Sequence, residues 1–148
     1  MKVFLATDHA GFKLKEEIKQ YLLEQNYEIE DLGAFSLDPT DDYPLLISKA
    51  AEEVSKDSQN SMAIIFGKSG AGEEIVANKF KNVRAVLGFS NENVRLSREH
   101  NNANILSLGS QFEDFAKAKE LVGIFLETAF SNDPRHARRI DEISKIEQ

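Results

Sequence analysis

The 148-residue chain has no cysteine, which excludes a disulfide framework, a Cys-ligated zinc site and a thiol nucleophile. It has no apolar run approaching the ~20 residues of a membrane span, and the apolar stretch within 1–9 is too short for a signal peptide. Positive charge is also short: 18 Lys and Arg against 25 Asp and Glu give a formal net charge of -7. That balance argues against non-specific nucleic-acid binding, which needs surplus cation to neutralise phosphates. No repeat, low-complexity segment or linker divides the chain. With 41% hydrophobic residues, the expectation is one cytoplasmic globular domain over 1–148, binding neither nucleic acid nor membrane.

What is present centres on residues 64–79, where Ile64-Ile65-Phe66 runs into Gly67-Lys68-Ser69-Gly70-Ala71-Gly72 and a helical pattern resumes at Glu73. This reads as strand, glycine loop, helix. Glycines let a ligand approach the backbone, and the first helical turn offers unsatisfied N–H groups at the positive end of the dipole. Such a loop can hold an anion. Glu73 puts a carboxylate beside those donors, and a base next to an anion hole points to proton abstraction from carbon.

Strands are predicted over 2–7, 27–32, 62–66, 84–89 and 104–108, alternating with helices. One helix begins near Phe12, one at Pro44, which suits a first helical turn, and others follow at 91–99 and 113–130. Five strands alternating with helices predict a three-layer, Rossmann-like α/β fold with a parallel sheet. Ligands in such sheets bind beyond the carboxyl ends of the strands, where Asp8, His9, Ser69 and His100 are all expected. After the Pro134 break, a helical tail carries Ile140, Ile143 and Ile146 on one face. That stripe packs either on a neighbouring subunit or back on the chain's own core.

Several familiar patterns are approached and missed. A Walker loop ending at Gly67-Lys68-Ser69 would need its first glycine at Met62, and a dinucleotide loop starting at Gly70 and Gly72 meets Ile75. Gly67-Lys68-Ser69-Gly70-Ala71 approximates a nucleophile elbow, with Asp114 and His136 following in hydrolase order. A tight turn without a ligand is the plain alternative. Asp8 and His9 read as a helix cap or as site groups, and Asp8, His9 and His100 are a conceivable but unspaced metal set. Arg135, His136, Arg138 and Arg139 form a basic cluster in which Arg135 and Arg139 share a helix face. Their forked guanidinium groups suit a phosphate monoester; ion pairs with Asp141 and Glu142 are the alternative.

Taken together, Asp8-His9-Ala10-Gly11, Asp42-Tyr43-Pro44, Ser69-Gly70-Ala71-Gly72, Ala77-Asn78-Lys79, Arg98-Glu99-His100-Asn101-Asn102 and Arg135-His136 with Arg139 resemble the ribose-5-phosphate isomerase B family, which includes galactose- and allose-6-phosphate isomerases. Many members carry a base cysteine where Gly67 stands; a second branch uses a glutamate after the loop, at the position of Glu73. The resemblance implies aldose–ketose isomerisation through an enediolate, with no metal and no cofactor. It implies Glu73 as base, Ser69 with the Gly70, Ala71 and Gly72 loop as enediolate donors, and His100 with Asp8 as the ring-opening pair. Tyr43 and Asn101 would position the sugar, and His9, Arg135, His136 and Arg139 would line the phosphate end. His100 and Asn101 would come from a neighbouring subunit, implying a homodimer or dimer of dimers with the 131–148 tail packed across it. Two positions depart from the pattern: Lys68 replaces the usual glycine, and Gln111 the usual arginine. Ribose 5-phosphate is the first substrate expected, a six-carbon sugar phosphate or a non-catalytic sugar-phosphate-binding role the alternatives.

Overall fold

The computed structural model describes residues 1–147. Its elements run β1 (Lys2–Thr7), a 3₁₀ turn (His9–Gly11), α1 (Phe12–Glu24), β2 (Glu28–Asp31), α2 (Tyr43–Lys56), β3 (Ser61–Gly67), α3 (Ala71–Ala77), β4 (Ala85–Leu87), α4 (Asn91–Asn101), β5 (Ile105–Gly109), α5 (Phe115–Glu127) and α6 (Pro134–Ile146). All five strands are parallel, in the order β2-β1-β3-β5-β4.

The alternation of side chains along each strand makes the three layers. Val3, Leu5, Met62, Ile64, Phe66, Leu106 and Leu108 pack on one face against α1, α4 and α5 through Leu14, Ile18, Leu22, Val94, Leu121 and Phe125. Phe4, Ala6, Ala63, Ile65 and Ile105 pack on the other face against Ile47, Ala50, Ala51 and Val54 of α2 and Ala77 of α3. Each fully buried Leu, Ile or Phe contributes about 1.5–3 kcal/mol, so both faces anchor the central strands. Because β1 and β3 are adjacent while their crossovers leave toward opposite sides, the chain parts at the carboxyl ends of these two strands. That is where an open α/β sheet presents a crevice.

Several predicted elements differ in length, among them β2 and β3 at their ends, and three do so for a visible local reason. β4 stops at Leu87 because Asn93 takes over the backbone beyond it: its Nδ2 donates to Leu87 O (3.0 Å) and its Oδ1 accepts from Phe89 N (2.8 Å). α5 starts only after Asp114, whose carboxylate caps it by accepting from Lys117 N at 2.8 Å. α4 runs on to Asn101 and ends where Asn102 adopts a left-handed conformation, so His100 lies in a helix rather than in a loop.

Candidate active site

The glycine loop closes β3 and opens α3 as the sequence predicts. Gly70, with φ 82°, is the N-cap of α3. Ser107 Oγ donates to its carbonyl at 2.7 Å, and Ser69 Oγ accepts from Ala71 N at 3.3 Å. The loop is thus tied to the neighbouring strand β5. Lys68 and Gln111, the two unusual positions, meet: Gln111 N donates to Lys68 O at 3.0 Å.

Glu73 sits in the first turn of α3 and is only 4% exposed. Its carboxylate occupies the space where a side chain at residue 67 would begin; a Cβ on Gly67 would overlap both carboxylate oxygens. Burial pushes the Glu73 carboxyl above the usual carboxylate range, its own backbone N–H opposes the shift, and the charge of Asp8 adds to it. Burial therefore outweighs that hydrogen bond in setting the direction of the shift. Tyr43, at the start of α2, lies over the loop so closely that a Cβ on Gly72 would meet its Cζ and Oη at 2.8 Å.

Asp8 and His9 follow β1, beside the loop. Asp8, 6% exposed, accepts from Ala10 N (3.0 Å) and Gly11 N (3.4 Å), so it caps the 3₁₀ turn, and its charge reaches Glu73. Ser110 Oγ donates to Ala10 O at 2.8 Å and joins this turn to the end of β5. His9 Nδ1 lies 2.7 Å from Asp41 Oδ1, which belongs to the connection between β2 and α2. The hydrogen bond that the ring donates to Asp41 holds His9 above the ordinary histidine range; partial burial opposes this and the charge of Asp8 assists. Asp8, His9 and Asp41 each offer one donor atom within 4.8 Å of the others. His9 Nδ1 and Asp41 Oδ1 are engaged with each other and Asp8 Oδ1 with the backbone, while Asp41 Oδ2 is left without a hydrogen-bond partner among the described residues.

The remaining residues lie elsewhere, which corrects one expectation. α4 returns from the carboxyl end of β4 to the amino end of β5, so His100 in its last turn sits at the amino edge of the sheet, as does Asn101. The length of β5, about 16 Å at ~3.3 Å per residue, separates that edge from Ser69. The ring of His136 stacks on that of His100, with centroids 4.2 Å apart and planes 18° apart. Burial lowers the pKa of His136, and the neighbouring charges of His100, Arg135 and Arg139 lower it further against the pull of Asp133. Arg135 pairs with Asp133 (Nη2–Oδ2 3.1 Å) rather than with Asp141 or Glu142. Arg138 lies 4.0 Å from Glu142, as the bland reading of the basic cluster has it. His136 is thus removed from Ser69, so within one chain no hydrolase triad assembles; nor does the metal set containing His100.

One further carboxyl was not anticipated. A cavity of about 220 Å³ opens beside Ser69, flanked by Phe89 and Phe112, which are 66% and 69% exposed, and by the buried Glu113. Burial raises the Glu113 carboxyl despite Lys117 nearby. Neither Asp41 nor Glu113 has a sequence signature, because each acquires its setting from a distant segment.

The fold and site define an α/β protein of the Rossmann-like class, with a glycine loop and a buried carboxyl at the carboxyl edge of a parallel sheet. The chain belongs to the Ribose/Galactose Isomerase family, whose model matches residues 3–143. It is 42% identical to the ribose-5-phosphate isomerase B of Mycolicibacterium paratuberculosis over 148 residues, covering 100% of this chain and 92% of that one. It is 37% identical to the Escherichia coli ribose-5-phosphate isomerase B, covering 99% and 97%. Among solved structures, the Mycoplasma genitalium ribose-5-phosphate isomerase B with bound ribulose-5-phosphate superposes with a TM-score of 0.94 at 37% identity, covering 97% of this chain and 94% of that one. The Clostridium thermocellum enzyme gives 0.94 at 36% identity, covering 99% and 97%.

Proposed function

We propose that this chain is a cytoplasmic, metal-independent ribose-5-phosphate isomerase in which Glu73 is the base. The observation carrying this reading is the buried Glu73 carboxyl, raised in pKa and lodged against Gly67 beside the loop donors. A carboxylate basic enough to take a proton from carbon, next to N–H groups able to hold the resulting charge, is what an enediolate mechanism requires.

Glu73 removes the C2 proton of the open-chain aldose, and the electron pair becomes the C1=C2 bond of an enediolate with its negative charge on O1. Ser69 and the N–H groups of residues 70–72 hold that oxygen. Glu73 returns the proton to C1 while the O2 hydroxyl proton passes to O1, which gives the ketose. Asp8 and His100 open the furanose ring, Tyr43 and Asn101 position the sugar, and His9, Arg135, His136 and Arg139 take the phosphate.

His100, Asn101, Arg135, His136 and Arg139 stand at the far edge of their own chain, so they serve the Glu73 site of a second copy. The state of α6 supports this: none of its residues is buried, and Ile146 is 78% exposed. A homodimer or dimer of dimers, with the 131–148 tail laid across a neighbour, covers that stripe; residue 148 itself lies outside the described residues.

A second reading follows from the residue types at the two departures from the family pattern: Lys68 supplies phosphate charge from the loop, or Lys68 and Gln111 select a six-carbon sugar phosphate. The deciding experiment follows ribose 5-phosphate conversion to ribulose 5-phosphate in EDTA, for the natural chain and Glu73→Gln. Activity in the former and a loss of about 10²–10⁴-fold in kcat in the latter is the expected outcome. An inactive natural chain would turn the assay to hexose 6-phosphates, and failure on these as well to the non-catalytic binding role.

A further inference from the structure

The connection between β2 and α2 is organised by a tight polar turn. Thr40 N and Thr40 Oγ1 both donate to Asp38 Oδ1 (2.9 and 2.7 Å), and Asp41 N donates to Asp38 O at 3.2 Å. This turn sends two side chains, two residues apart, onto two different parts of the carboxyl edge: Tyr43 onto Gly72, and Asp41 onto His9. Asp41 Oδ1 accepts from His9 N at 2.9 Å and lies 2.7 Å from His9 Nδ1, so a single oxygen fixes both the backbone and the ring of His9. Asp41 Oδ2 is buried and has no hydrogen-bond partner among the described residues. A carboxylate with a buried, unpartnered oxygen needs a compensating positive charge, and the imidazole is the group touching it.

We propose that Asp41 is a positioning residue for His9: its one oxygen locks backbone and ring together, so that His9 presents Nε2–H as a charged donor to the phosphate of the substrate. Which nitrogen of a histidine faces the ligand is set by the bond that the other makes. With Nδ1 committed to Asp41, Nε2 is the nitrogen left for a ligand. Within the chain, the charges acting on His9 are acidic, Asp8 from the end of β1 and Asp38 and Asp41 from the β2–α2 connection; the cations of a second copy's α6 would approach from the phosphate side. The acidic charges favour the imidazolium, of which Asp41 is the contacting partner. Asp41 has no place in the proton transfer itself; it acts through His9. The proposal rests on the reading of this site as a sugar-phosphate site, and the test separates the two.

Asp41→Asn keeps an acceptor for the His9 backbone N–H and removes only the charge. The C2-proton resonance of His9, one of three histidines, is followed against pH by NMR in the natural chain and in the variant, alongside KM and kcat for ribose 5-phosphate. The expected result is a His9 titration that moves to lower pH in Asp41→Asn, with KM at pH 8 raised about tenfold and kcat nearly unchanged. A role confined to anchoring the loop predicts an unchanged His9 titration, and that result overturns the proposal. A shifted titration with an unchanged KM leaves the Asp41–His9 coupling standing and overturns the assignment of the phosphate to His9.

Discussion

Both edges of the sheet carry candidate site residues, and the two are built on opposite plans. At the carboxyl edge, Asp8 and Glu73 are buried, the loop is tied to β5 through Ser107 and Gln111, and Asp41 and Tyr43 are clamped onto their neighbours from a common turn. At the amino edge, the arginines of α6 are exposed, and the aromatic contact there is the stacked pair of His100 and His136. An edge preorganised by burial can do chemistry on a bound group, whereas an edge of exposed cations gains its partner only by docking. Under the proposed function, the difference makes one chain the carrier of two half-sites of unlike character.

The sharpest way to break this comparison is to disable each edge separately. Glu73→Gln and His100→Ala should each lose most of the activity. Unfolding and refolding the two variants together should restore about a quarter of the natural activity, since half of a randomly paired symmetric dimer population is mixed and each mixed dimer has one intact site. No recovery on mixing would place both edges in the service of one chain.

A smaller effect tests how far burial organises the carboxyl edge. Gly67→Ala would put a methyl group where the Glu73 carboxylate now lies, and kcat should fall about 10²-fold from misplacement of the base. The pH profile gives the sign. The natural base, raised by burial, becomes active only as pH rises through its elevated pKa. Displaced toward water in Gly67→Ala, it should ionise earlier, so the acid limb moves to lower pH. An acid limb that stays in place would mean that the notch does not set the basicity of Glu73.

The smallest expected change is at the loop surface. Lys68→Gly should raise KM for the natural substrate about three- to tenfold, in line with the loss of one exposed cation from a phosphate site. An unchanged KM, measured by initial rates, would remove Lys68 from phosphate binding and leave its contact with Gln111 as loop structure.

Much of the carboxyl edge was readable because the information is local. The apolar run of β1, the strand–loop–helix at 64–79 and Pro44 at a helix start each depend on a few adjacent residues, and β1 was bounded correctly at 2–7. His100 was misplaced although the rule that places it is simple. In a parallel sheet, a residue just before a strand stands at the amino edge, and His100 precedes β5. The Asn-rich stretch after Glu99 looked like a loop because Asn is a weak helix former; α4 nevertheless holds through Asn101 and is closed by left-handed Asn102. The Asp41–His9 pair was beyond sequence reading for a different reason. It spans 32 residues and depends on the strand order, which hydrophobic pattern does not encode.

The shared space of residues 67 and 73 also constrains history. A lineage descending from this chain cannot acquire a side chain at 67 while Glu73 keeps its present rotamer, and under the proposed function it cannot abandon Glu73 without losing its base. The route from one catalytic arrangement to another therefore runs through an intermediate impaired at both positions, unless the two codons change together or a duplicate gene carries the function meanwhile. Under that reading, a single missing Cβ ties the choice of base at this site to the residue at 67.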